Sequence, residues 1–212
     1  MFKSLKELDE YIHENSLLTH FFYEQKWSKG ELTLDDLATY AKEYYFLVKN
    51  VPTIVLIVLE HARKNEPGMV LAIEENLSEE QEHIELWERF ANTLGVSKEE
   101  LESYIPYEKT KAAIEKLKST AMQNFQNGMA VIYSLELSLP EIAKTKKDGL
   151  CKYYKLDSED SHIYFDEHLN EEKHLAVWRK ALDPLVIRES VEKSLKAQHL
   201  LLDGVCEACG IF

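Results

Sequence analysis

Apolar residues recur at three- and four-residue intervals along almost the whole chain, and no stretch alternates with period two. Phe2, Leu5, Leu8 and Ile12 predict an amphipathic helix over residues 2–13. A second, over residues 17–27, carries His20, Phe21, Tyr23 and Trp27 and ends at Ser28-Lys29-Gly30. Thr33 caps a long helix with Asp35 and Asp36 in its first turn, and it runs through Tyr40, Tyr44, Tyr45 and Val48. That helix is expected to kink at Pro52 and to reach residues 61–64. Pro67 and Gly68 open a helix over 69–94, stopped by Gly95, and Ser97-Lys98-Glu99-Glu100 is a capping box for a short one. From Thr110 the period stays helical to Lys147, tolerating Gly128 and Pro140. After a connector, one helix starts near Ser161 and ends before Pro184, and a last one covers 184–203. The expectation is an all-α bundle of seven or eight helices, with residues 1–203 as one domain and 204–212 as a flexible cysteine-containing tail.

Composition narrows the partners. With 45% apolar and 30% charged residues the chain reads as a soluble globular protein. A net charge of −13 without a Lys/Arg cluster argues against nucleic acid or an anionic membrane. The opening residues have no long apolar core, and residues 51–59, the greasiest run, are too short to span a bilayer. Three cysteines, with Cys151 far from Cys206 and Cys209, imply no disulfide framework, and a cytoplasmic protein is expected.

Candidate chemistry lies in three places. Along an ideal helix His168, Glu171 and His174 fall within an arc of ~120°. Two imidazoles flanking a carboxylate are transition-metal ligands by type; a helix laced with surface charges is the alternative. Glu80 and His83 have E-x-x-H spacing, but five glutamates between residues 79 and 88 also suit a solvated acidic face. Trp87, one turn on from His83, points that face inward. Glu136 shares its face with Ile132, Tyr133, Leu139 and Pro140, so a buried carboxylate must be neutralised by a metal, a proton, a Tyr hydroxyl or an Arg. Together the three places offer three carboxylates and three histidines, as carboxylate-bridged dinuclear iron sites do. His13, His162 and His199 read as surface residues, and His20 and His61 as core histidines. Cys206-x-x-Cys209 would be a redox pair or half a zinc site, with nothing to supply the other half.

Longer segments carry a resemblance. His20-Phe21-Phe22-Tyr23-Glu24-Gln25-Lys26-Trp27-Ser28-Lys29-Gly30-Glu31-Leu32-Thr33, Tyr40-Ala41-Lys42-Glu43-Tyr44-Tyr45 and His83-Ile84-Glu85-Leu86-Trp87 are among them. So are Tyr133-Ser134-Leu135-Glu136, Pro140-x-Ile142-Ala143, Tyr164-Phe165-x-Glu167-His168 and the Cys-x-x-Cys near the C-terminus. Over nearly its whole length the chain resembles the family of chlamydial proteins associating with death domains. That family is the dinuclear-metal oxidase branch of the haem-oxygenase-like TenA/PqqC superfamily.

The resemblance implies a dimeric helical bundle that activates O₂ at two irons, or at one iron and one manganese, with an external reductant. The implied ligands are Glu80, His83, Glu136, His168, Glu171 or Glu172, and His174. The implied product is p-aminobenzoate for folate synthesis, with the ring taken from Tyr23, the nitrogen from Lys146, and Tyr40 as a second pocket tyrosine. The family's third ligand segment reads H-x-x-x-[DE]-x-x-H, and here it is one residue shorter. Either a π-type irregularity restores convergence or the last ligands are displaced. Three rivals stand beside this reading. A thiaminase-type hydrolase would need a cysteine on the Glu136 helix, where residues 130–142 have none. A death-domain-binding protein would not need the ligand set, and the same oxidase chemistry could act on an external amine or acid.

Overall fold

Thr33 fixes the start of the longest helix. Its N–H donates to Asp36 Oδ2 at 2.8 Å, and the Asp36 N–H donates back to Thr33 Oγ1 at 3.1 Å, so two otherwise orphaned donors are satisfied. In the computed structural model, which describes all residues Met1–Phe212, there are no strands, and this helix is one of ten α-helical segments. They are α1 (Leu5–Glu14), α2 (Leu34–Asn65), α3 (Val70–Thr93), α4 (Lys98–Ser103), α5 (Glu108–Ala121), α6 (Phe125–Glu136), α7 (Leu139–Gly149), α8 (Glu159–Glu167), α9 (Glu172–Ala181) and α10 (Arg188–Cys209). Helix α2 runs unbroken through Pro52 and packs against α3, α5, α6 and α10. It is long and apolar enough to cross a membrane by composition alone. Leu37, Tyr40, Ala41, Tyr44, Val48, Val55 and Val58 bury instead within the bundle, as in the core helix of a soluble fold.

Glu43 anchors α2 to the next layer. Fully buried, it accepts the Tyr104 hydroxyl at 2.6 Å, the Tyr107 N–H at 3.0 Å and the Thr110 hydroxyl. Three donors around one carboxylate replace the water it has lost. Gly204 lets α10 lie against the same corner, because a Cβ there would stand 2.3 Å from Thr110 Oγ1.

The structure departs from the sequence pattern in five places. First, residues 17–29 are not one α-helix. A 3₁₀ turn (Leu17–Thr19), a π-helix (Phe22–Lys26) and a second 3₁₀ turn (Trp27–Lys29) follow one another. The wider i→i+5 winding puts Phe22, Tyr23 and Trp27 on the inside together, where the α pitch would turn one of them away. Second, the stretch read as one helix from Thr110 is cut into α5, α6 and α7. Asn124 restarts the chain as an N-cap, accepting the Asn127 N–H at 2.9 Å, and Pro140 occupies the first turn of α7, where its missing N–H costs nothing.

Third, the helix expected to carry His168, Glu171 and His174 breaks between α8 and α9, where Asn170 Oδ1 faces the Glu172 N–H at 3.4 Å. Fourth, the C-terminus is not a flexible tail. Helix α10 continues through Cys209 and ends at Gly210 in the left-handed region, φ 65°. Cys206 is buried, and burial raises both thiols, Cys206 to about 11 and Cys209 to about 12. Fifth, His162 is buried rather than on the surface, 2.8 Å from the Leu156 carbonyl and 3.3 Å from Cys151 Sγ.

Candidate metal centre and tyrosine pocket

Four helices and one turn bring the predicted ligands together. Helix α3 supplies Glu80 and His83, α6 ends on Glu136, α8 closes on His168, and the α8–α9 turn and α9 supply Glu171 and His174. Glu171 is the pivot. Its Oε1 accepts His168 Nδ1–H at 2.8 Å and its Oε2 lies 3.3 Å from His174 Nδ1. The break achieves what a one-residue-short helix could not, because the turn aims both carboxylate oxygens back at the two rings. Burial alone would raise the Glu171 pKa, but the two imidazole partners outweigh it and hold the group down at about 2. Glu172, the alternative carboxylate, is exposed and accepts from Arg179 at 3.1 Å, so it lies outside the cluster.

Glu136 is 5% exposed and takes two donors, Trp178 Nε1–H at 2.5 Å on Oε2 and Asn76 Nδ2–H at 3.3 Å on Oε1. Burial, and then the negative charges of Glu171 and Glu80, push its pKa well above the usual carboxylate range despite those bonds. One ligand atom each from Glu136, Glu171 and His174 lies within 4.8 Å of the others. Alongside them the His83 ring meets the edge of His168 at 4.4 Å between centroids, and Glu80 Oε2 stands 3.4 Å from His83 Nδ1.

The donor set fits transition-metal ions. His168 is 2% exposed and its Nδ1 is committed to Glu171, which leaves a buried Nε2 with no hydrogen-bond partner. A carboxylate on one imidazole nitrogen fixes the tautomer that offers the other nitrogen's lone pair to a metal. Glu80, Glu136, His168 and His174 could hold ions, with Glu171 shared between the two histidines. On the outer side a cleft of about 400 Å³ is lined by Glu79, Glu82, His83, Glu167, Glu171 and His174. On the inner side an apolar chamber of about 40 Å³ is bounded by Glu80, Glu136, His168, Tyr44 and Tyr164.

The predicted Tyr23, Tyr40 and Lys146 form a second, contiguous site. The π-helix carries Tyr23 into the interior, where it is fully buried with its hydroxyl 3.3 Å from that of Tyr40. Gly149 makes room behind it, since a Cβ there would sit 2.4 Å from Trp27 Nε1, and Trp27 packs on both Tyr23 and Tyr40. Helix α7 places Lys146, 1% exposed, among aromatic rings. Its Nζ is 4.1 Å from the centroid of Tyr44, 5.6 Å from Tyr40 and 5.9 Å from Tyr23. Burial lowers its pKa to about 7.

Rings join the two sites. Tyr164 lies 4.6 Å from His168 and 4.7 Å from Trp87, Trp87 stacks on Tyr44 at 5.0 Å, and Tyr44 meets Tyr40 at 5.3 Å. Sequence reading missed Asn76, Trp178 and Tyr164. Asn76 had a visible signal, one turn before Glu80 on the same face of α3. Tyr164, four residues before His168, and Trp178, four after His174, carried the same one-turn signal.

This is an all-helical fold of the haem-oxygenase-like class. A Shewanella denitrificans domain of unknown function, described as having a heme oxygenase-like fold, superposes with a TM-score of 0.77 at 17% identity, covering 99% of this chain and 92% of that one. A CADD-like protein of unknown function from Nostoc punctiforme superposes with 0.80 at 16% identity over 96% of each chain. Residues 4–207 match the TENA/THI-4/PQQC family, and the chain belongs to that family. A Chlamydia muridarum protein named 4-aminobenzoate synthase is 35% identical over 200 residues, 92% of this chain and 84% of the relative. A Nitrosomonas europaea protein of the same name is 29% identical over 175 residues, 77% and 71% of the two chains.

Proposed function

We propose that the chain is an enzyme that makes p-aminobenzoate in an O₂-dependent reaction, taking the ring from its own Tyr23 and the nitrogen from its own Lys146. The observation that carries this reading is the pocket itself, in which a lysine amine lies 5.9 Å from the Tyr23 ring with both groups sealed from solvent. With its pKa at about 7, Lys146 is a substantially neutral amine at physiological pH, able to act as a nucleophile where an ordinary lysine is protonated. The identity to relatives named 4-aminobenzoate synthase supports the product.

Two irons, or one iron and one manganese, bound by Glu80, His83, Glu136, His168, Glu171 and His174, would supply oxidising power from O₂ with an external reductant. The chain's own residues do the rest. Trp178 and Asn76 orient Glu136, and Glu171 orients His168 and His174. Tyr164, Trp87, Tyr44 and Tyr40 are in successive ring contact and the Tyr40 hydroxyl meets that of Tyr23 at 3.3 Å, so the tyrosine need not touch the ligand cluster to be oxidised. The apolar chamber beside Glu80, Glu136 and His168 has room for a molecule the size of O₂.

The test uses protein prepared with ring-¹³C tyrosine, reacted with iron, manganese, O₂ and reductant in unlabelled buffer. Labelled p-aminobenzoate, at one equivalent or less per chain, with a matching mass loss on the Tyr23 peptide, is the expected result. Unlabelled product, or product from a Tyr23→Phe variant, overturns self-sacrifice.

A further inference from the structure

Asn76, whose N–H orients Glu136, is the one group in the ligand cluster with an unanswered polar atom that is not already counted among the ligands. It lies on α3 four residues before Glu80 and seven before His83, so all three share one face of the helix. The side chain is 1% exposed. Its Nδ2–H donates to Glu136 Oε1 at 3.3 Å, and its Oδ1 has no partner.

A buried amide oxygen without a donor costs about 1–3 kcal/mol, and a leucine of similar volume would avoid that cost. The amide direction is set by its neighbour. Once a cation holds Glu136 as a carboxylate, that carboxylate must receive an N–H, and the amide oxygen is left on the remaining side. A hard, neutral carbonyl oxygen is a suitable ligand for manganese or iron. It also adds coordination without adding negative charge, where Glu80 and Glu171 already press on Glu136.

We propose that Asn76 Oδ1 is a further, uncharged ligand to the ion held by Glu136. The inference rests on the metal-centre reading above, and the experiment separates the two. Anaerobic equilibrium dialysis against Mn(II), with bound ions counted by EPR, is applied to wild type, Asn76→Leu and Asn76→Asp. Wild type is expected to bind two ions. Asn76→Leu is expected to lose about tenfold or more in affinity for one of them, and Asn76→Asp, which keeps an oxygen there, to stay near wild type or bind more tightly. If both variants weaken equally, the N–H to Glu136 is what matters and the proposal fails. It also fails if Asn76→Leu matches wild type. Wild type binding no Mn(II) removes the metal centre itself. Should neither variant fold, judged by metal-free thermal unfolding, a crystal of Mn(II)-loaded wild type decides: Oδ1 bonded to an ion supports the proposal, and Oδ1 beyond bonding distance overturns it.

Discussion

The Lys146 amine lies 4.1 Å above the ring of Tyr44, and no carboxylate contributes to its pKa, which burial alone lowers to about 7. Burial disfavours the charged amine because the surrounding rings offer no hydrogen-bond acceptor to replace the lost water. The consequence is an amine available for bond formation and a fold that bears the cost of holding it.

That cost has a pH signature. A lysine whose folded pKa is about 7 against an unfolded 10.5 binds fewer protons folded than unfolded between those values. Stability therefore rises with pH from about 7 toward 10, and below 7 the penalty is fully present, on the order of 5 kcal/mol. Urea midpoints from pH 7 to 9.5 should climb in wild type and stay comparatively flat in Lys146→Met. Parallel profiles would show that the amine is not desolvated.

Glu136 separates binding from folding. Its raised pKa marks a carboxylate that is unfavourable as an anion without a cation beside it. Glu136→Gln should be as stable as wild type or more so in chelator, while binding fewer ions. The measurement is thermal unfolding with and without excess Mn(II). Wild type at 100-fold excess over its dissociation constant should gain about 2.7 kcal/mol, and the variant clearly less.

Gly149 should be intolerant of any side chain, because a Cβ collides with the Trp27 indole that backs Tyr23. Gly149→Val is expected to cost about 1–3 kcal/mol and to reduce p-aminobenzoate yield while leaving the number of bound ions unchanged. Lost metal binding with normal product yield would contradict the packing argument.

Thiol labelling should distinguish the three cysteines. Cys151 is exposed, whereas Cys206 and Cys209 sit in the last turns of α10 with thiols raised to about 11 and 12. Under native conditions Cys151 should react first, and the Cys206→Ser/Cys209→Ser pair should leave product yield unchanged. Loss of product in that variant would return a redox role to the pair.

The helical class, and the acidic and histidine side chains that cluster, were legible because each leaves a local trace. Thr33 and Ser97 announce their helices by capping boxes, and Glu136 stands out as a charge in an apolar run. The breaks were not legible, because their causes are tertiary. The π-winding at Phe22–Lys26 follows from where the bundle needs three aromatic rings, and Asn124 reads as an ordinary polar residue until its side chain is seen to cap α6. Helical spacing favours Glu171 over its neighbour Glu172, but it is the turn between α8 and α9 that gives one to the histidines and the other to Arg179.

That turn has a wider meaning. Within a continuous helix, one residue gained or lost swings everything beyond it by ~100°. Here the orientation of α9 is set by its tethers instead. Arg179 Nε donates to the Tyr133 hydroxyl at 3.0 Å, Arg179 pairs with Asp9 at 3.4 Å, and Trp178 holds Glu136. The joint between α8 and α9 thus works as an expansion gap, which frees the direction of α9 from the helical phase of α8 and leaves His168 and His174 to be placed by separate contacts.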